Sequence, residues 1–158
     1  MKARVYLETS FFSFYFDTRT TPEIVARRNW TRLWWRQRRS KYELVTSAAV
    51  LEELNRGKLQ HRRKAWKLAR RLRPLRVSDD ITRIVLAYVE HQVMPRDPFG
   101  DAFHLAFASS YKCDFLVTWN CEHLANANKF GHVRQVNTLL GLHVPVLVTP
   151  LELLALPL

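Results

Sequence analysis

The sequence predicts an α/β fold in which a mainly parallel sheet is covered by helices on both faces. Three observations carry that expectation. Short runs rich in Val, Leu and Tyr alternate with longer stretches of helical periodicity. Strands alternating with helices imply right-handed crossovers between parallel neighbours. No internal repeat or low-complexity linker interrupts the chain, so residues 1–158 read as a single domain with one core. A hydrophobic content of 47% with only 4 Gly and 7 Pro marks it as globular.

The strands are expected at Ala3–Leu7, at Tyr42–Thr46 in "YELVT", at Leu75–Val77, at Asp114–Trp119 in "DFLVTW" and at His143–Val148. Each run is too short for a helix and is rich in β-formers. Between them, Thr21-Pro22-Glu23 reads as an N-cap, an N1 proline and a first-turn acid. Ala26, Trp30, Leu33 and Trp34 then form an apolar stripe at helical spacing; such aromatics are more often core or interface, and Trp35, least aligned with the stripe, is the best candidate for stacking on a base or contacting a partner. Ser47 caps a helix through "AAVLEELNR" that Gly57 ends. Ser78 starts another helix, whose Ile81, Val85 and Tyr88 share a face. A fourth begins near Phe99 in "DPFGDAFHLAFASSY", "HVRQVNTLLG" ends on Gly141, and Thr149-Pro150 opens a last short helix.

Charge narrows the partner. Lys and Arg number 25 against 14 Asp and Glu, a formal net charge of +11. The excess is concentrated between Arg27 and Arg76, in "ARRNWTRLWWRQRRSK" and "RGKLQHRRKAWKLARRLRPLR". Such a band suits a polyanion through phosphate neutralisation and counterion release. The start, Met-Lys-Ala-Arg, leads into a run too short for a signal peptide. Pro145, Pro150, Pro157 and Glu152 interrupt the most apolar stretch, which argues against a membrane span. Cys113 and Cys121 read as free thiols, so the expected location is the cytoplasm.

Three acids stand out. "VYLETSFFS" ends a buried strand pattern on Glu8, and ligands of parallel sheets bind outside the carboxyl ends of strands. Glu52 and Glu53 are about 100° apart on a helix, so only one of them can face a given point. Asp101 heads an otherwise apolar stripe with Leu105 and Ala108, which is costly unless a cation or hydrogen bonds compensate it. The six histidines show no paired metal-ligand spacing and neither cysteine joins a Cys-x-x-Cys, so a structural zinc site is not expected. A Gly-rich phosphate loop and a GxSxG elbow are also missing.

Taken in order, "VYLETSFFS", "TSAAVLEELNRG", "DAFHLAFASSYKCDFLVTWN" and "VLVTPLELL" resemble the successive blocks of PIN-domain proteins, and among them the VapC-type toxins of toxin–antitoxin pairs. That resemblance implies a three-layer α/β sandwich, an acid cluster binding Mg²⁺ or Mn²⁺, and cleavage of RNA phosphodiester bonds. The family's acids fall on Glu8, Glu53 and Asp101, with Asn120 at a fourth position that is often aspartate. Glu8 and Asp101 become the principal metal ligands. Glu53 is a ligand through water or orients the attacking water, and Asn120 positions a metal-bound water or the phosphate. Thr9 and Thr118 match hydroxyls that orient the carboxylates, and Asp97 is a spare acid beside them. The resemblance also implies a small antitoxin partner and a homodimer.

Hard oxygen donors suit such an ion, and a bound metal can activate water for attack on a phosphodiester. Arg36, Arg38, Arg39, Arg62, Arg63 and Lys64 are then expected to hold the RNA backbone. The alternative is a non-catalytic basic α/β module that binds RNA or protein, its acidic site degenerate because of Glu8 and Asn120.

Overall fold

The structure, a computed structural model, describes residues 1–56, 60–94 and 98–157. Five strands form one parallel sheet in the order β3-β2-β1-β4-β5: β1 (Arg4–Leu7), β2 (Glu43–Ser47), β3 (Arg73–Leu75), β4 (Phe115–Val117) and β5 (Val146–Val148). The central strand has Val5, Tyr6 and Leu7 fully buried, as a strand covered on both faces must be. β3 lies two residues earlier than its expected span. Pro74 pairs opposite Thr46 on this edge strand, where a missing N–H is tolerated.

The helices are α1 (Thr9–Tyr15), α2 (Pro22–Arg38), α3 (Ala48–Asn55), α4 (Gln60–Ala69), α5 (Asp79–Glu90), α6 (Pro98–Ser110), α7 (Ala127–Leu139) and α8 (Pro150–Ala155). Ser47 and Ser78 accept from the third backbone N–H of α3 and α5, and Thr149 with Glu152 closes a capping box on α8. Gly141, just past α7, takes φ +69°, the left-handed conformation that favours glycine. Gly57, the expected stop of α3, lies outside the described residues, as does Asp97.

α1 packs on α2, α3 and α4, α2 also packs on α8, and α5 packs on α6. Phe11 meets fully buried Trp34 edge-on at 5.5 Å between ring centres. Trp35 corrects the sequence reading: it is 8% exposed and packs against Phe11 and Tyr15, with Arg39 over its ring. The exposed tryptophan of α2 is Trp30. None of the described helices is long and apolar enough to cross a membrane.

The strand order positions the site. From β1 the chain moves outward through β2 to β3, then returns to the other side of β1 for β4 and β5. The crevice between the carboxyl ends of β1 and β4 is therefore the topological switch point, where open parallel sheets bind ligands.

Candidate metal centre at the sheet rim

Glu8 follows the last residue of β1 and is also the N-cap of α1. The strand thus passes into a helix with no intervening loop, and the carboxylate is only 6% exposed. Its Oε2 accepts from the Ser10 amide (3.0 Å), the Ser10 hydroxyl (2.5 Å) and the Thr118 hydroxyl (2.7 Å). Those bonds offset the cost of burial and hold the side chain bent back toward α1, leaving Oε1 facing inward.

Glu53 reaches the same point from α3. Its Oε2 accepts from Thr9 Oγ1 at 2.5 Å and its Oε1 from His104 Nε2 at 3.0 Å. Its neighbour Glu52 points away and pairs with Arg56 on the surface, as the helical offset requires. His104 comes from α6, is 1% exposed, and stands 3.8 Å from Glu8 Oε1 through the same Nε2. Behind it, Nδ1 meets the Tyr6 hydroxyl at 2.7 Å, which in turn meets Ser47 Oγ at 2.7 Å. Single ligand atoms of Glu8, Glu53 and His104 all lie within 4.8 Å of one another.

Asp101, one turn before His104 on α6, completes the rim. Its Oδ2 accepts from Asn120 Nδ2 at 3.0 Å. The Asn120 carbonyl oxygen accepts from the amides of Glu122 and His123, which fixes the orientation of the side-chain amide. Asn120 therefore anchors Asp101 through its donor end, while its oxygen stabilises the turn after β4. The sequence assigns Asn120 the positioning of a metal-bound water or the phosphate.

Electrostatics couple the four groups. Burial raises the Asp101 carboxyl, and the negative charge of Glu8 raises it further. Burial also acts to raise Glu53, but the hydrogen bond and charge of His104 outweigh it and hold that carboxyl below its ordinary value. For His104, burial acts to lower its pKa, but the Glu53 hydrogen bond and the charges of Glu8, Glu53 and Asp101 raise it overall.

A cavity of about 550 Å³ opens outward from Glu8 and Glu53 between α1 and α4, with Ser10, Phe14, Arg19 and Arg62 on its walls. Arg19 is braced by buried Asp17 at 2.7 Å. Arg27 lies over the rings of Trp119 and Phe14 and bonds the Trp119 carbonyl, directly beside Asn120. Of the six basic residues expected to hold RNA, Arg62 lines this cavity and Arg63 borders a different one beside Trp66. Lys64 is exposed on α4. Arg36, Arg38 and Arg39 lie at the far end of α2, just before the chain enters β2, and Arg38 bonds the Leu154 carbonyl.

Acids from β1, α3 and α6 gathered at the switch point of a 3-2-1-4-5 parallel sheet agree with a family match. The family described as PIN domain matches residues 5–127. The chain belongs to the PIN domain family. Among solved structures, the VapC20 toxin of Mycobacterium tuberculosis, described as cleaving the sarcin–ricin loop, shares the fold with a TM-score of 0.58. The identity is 18%, covering 75% of this chain and 92% of that one. No curated protein matches the sequence.

Within this PIN fold, the sequence reading missed His104. The signal was its offset of three from Asp101, which places both on one helical face.

Proposed function

We propose that this PIN-domain protein is a metal-dependent endoribonuclease and the toxin of a toxin–antitoxin pair. The observation that carries the reading is the convergence of Glu8 and Glu53 from two separate segments onto one rim, with Asp101 from a third linked electrostatically to Glu8. Carboxylates so placed repel one another, and a divalent cation relieves that repulsion. The oxygen donors of Glu8, Glu53 and Asp101 fit Mg²⁺ or Mn²⁺ and would hold the ion. When bound, such an ion supplies charge neutralisation at the phosphate and an activated water.

The remaining work belongs to the chain. Ser10 and Thr118 fix Glu8, Thr9 fixes Glu53, and Asn120 fixes Asp101, so the acids are oriented before substrate arrives. Arg62 and Arg19, the latter paired with Asp17, line the same cavity as the acids and offer positive charge to a nucleic-acid backbone. The volume, about 550 Å³, is of the size that holds a small ligand, and in this reading it receives a single unpaired stretch of RNA. An antitoxin segment would occupy the same cavity and exclude RNA, and a homodimer belongs to the same reading.

The test is cleavage of a mixed RNA pool with Mg²⁺ or Mn²⁺. Wild type should cut, EDTA should stop it, and Asp101→Asn should remove activity while the circular dichroism spectrum is unchanged. Equal cutting by the variant would refute the assignment. RNA binding without cutting or metal uptake would identify the binding module instead.

A further inference from the structure

We infer that His104 is itself a ligand of the divalent ion, joining the acids so that the centre is a mixed oxygen–nitrogen site with Glu8 and Glu53 beside it. The inference rests on the metal-dependent reading above and changes which ions the site selects.

The geometry is that of a ligand with its supporting group in place. His104 Nε2 points at both carboxylates, 3.0 Å from Glu53 Oε1 and 3.8 Å from Glu8 Oε1. Adjacent ligands bonded at about 2.1 Å in an octahedral shell sit about 3 Å apart, so the Nε2–Oε1 spacing matches one edge of such a shell. A histidine that binds metal through one nitrogen uses the other to hydrogen-bond a partner that sets its tautomer. With Nε2 on a metal, Nδ1–H would donate to the Tyr6 hydroxyl at 2.7 Å and Tyr6 in turn to Ser47, which also accepts the Val50 amide as the cap of α3. All three side chains are at most 1% exposed, so solvent does not compete for those bonds. The chain Ser47–Tyr6–His104 thus leaves the Nε2 lone pair facing the acids once Glu53 exchanges its hydrogen bond for a metal.

An imidazole nitrogen favours transition-metal ions over Mg²⁺, which prefers oxygen and retains its waters. The expected ligand class is therefore Mn²⁺ and later divalent ions rather than Mg²⁺.

The experiment titrates Mn²⁺ into the metal-free protein and reads it by EPR. Pulsed EPR at one equivalent detects nitrogen coupling directly, in samples with and without ¹⁵N-labelled histidine. The expected result is a coupling that changes with the label, survives His123→Gln and His61→Gln, and disappears in His104→Gln. Mn²⁺ affinity should fall about 10- to 100-fold in His104→Gln, while Mg²⁺ affinity, read by competition, changes little. One equivalent of Mn²⁺ bound without label-sensitive coupling overturns ligation by histidine and leaves the acidic centre standing. Failure to bind Mn²⁺ at all overturns the metal-dependent reading as well. If His104→Gln folds poorly, the labelled and unlabelled wild-type samples with the two control variants decide the matter.

Discussion

The contact between Glu53 and His104 becomes an ion pair when the imidazole is protonated, and the direction of each pKa shift sets a pH dependence. Glu53 has a folded pKa below its ordinary 4.5, so it contributes stability above pH 4.5 that is lost as pH falls through the folded value. His104 has a folded pKa above its ordinary 6.5, so its contribution is complete below pH 6.5 and is lost as pH rises through the folded value. Urea unfolding in EDTA should therefore show the pair at full strength between about pH 4.5 and 6.5, with a decline on the alkaline side. His104→Gln should flatten that alkaline decline, and an unchanged profile would show that His104 stays neutral. Thr9→Val tests the neighbouring bond. Losing the hydroxyl on Glu53 should weaken Mn²⁺ binding about 10- to 100-fold, measured calorimetrically, without changing the fold.

At the scale of elements, α2 separates two kinds of arginine. Its first turns touch the rim, where Arg27 bonds the Trp119 carbonyl, and eleven residues later Arg38 is about 16 Å further along the axis. Basic residues along one helix therefore do not act as one surface. Arg62→Ala should reduce the slope of log affinity for single-stranded RNA against log salt by about 0.7, one phosphate contact. Arg36→Ala with Arg39→Ala should change it less, and filter binding across salt concentrations distinguishes the two. The same elements show what was legible in the sequence. β1, β2, β4 and β5 were visible because buried parallel strands read as compact apolar runs; helical offset allowed only one of Glu52 and Glu53 to face the rim, and the family resemblance selected Glu53. α1 was not visible, because its seven residues make only about two turns, too few for a helical period to stand out, and because a glutamate is an unusual cap. Trp35 was misjudged because α2 is covered by both α1 and α8, so the stripe that predicts one buried face understates the coverage. His104 was marked in the sequence only by its offset of three from Asp101, because its partners Tyr6, Ser47 and Glu53 meet only in three dimensions.

For the whole molecule, the rim sets stability against activity. The sheet delivers Glu8 and the anchor of Asp101 to the two sides of one crevice, so the fold itself forces like charges together. Asp101 records the cost: its raised pKa means that ionisation is less favourable in the folded chain than in the unfolded one. The sign follows directly. Stability associated with Asp101 is present below its ordinary 3.8 and is lost as pH rises through its higher folded value, so at pH 7 the carboxylate opposes folding. Asp101→Asn keeps an oxygen for the Asn120 amide and removes the charge. In EDTA at pH 7 this variant should therefore melt above wild type, and the advantage should vanish in acid where Asp101 is protonated. Metal should invert the order: wild type gains about 2.7 kcal/mol at one hundred times its dissociation constant, while the variant, short of a donor, gains less. Scanning calorimetry of both proteins, with and without Mn²⁺ at two pH values, measures all of these differences. A variant less stable than wild type in EDTA at pH 7 would mean that the Asn120 bond, rather than charge repulsion, dominates at this position.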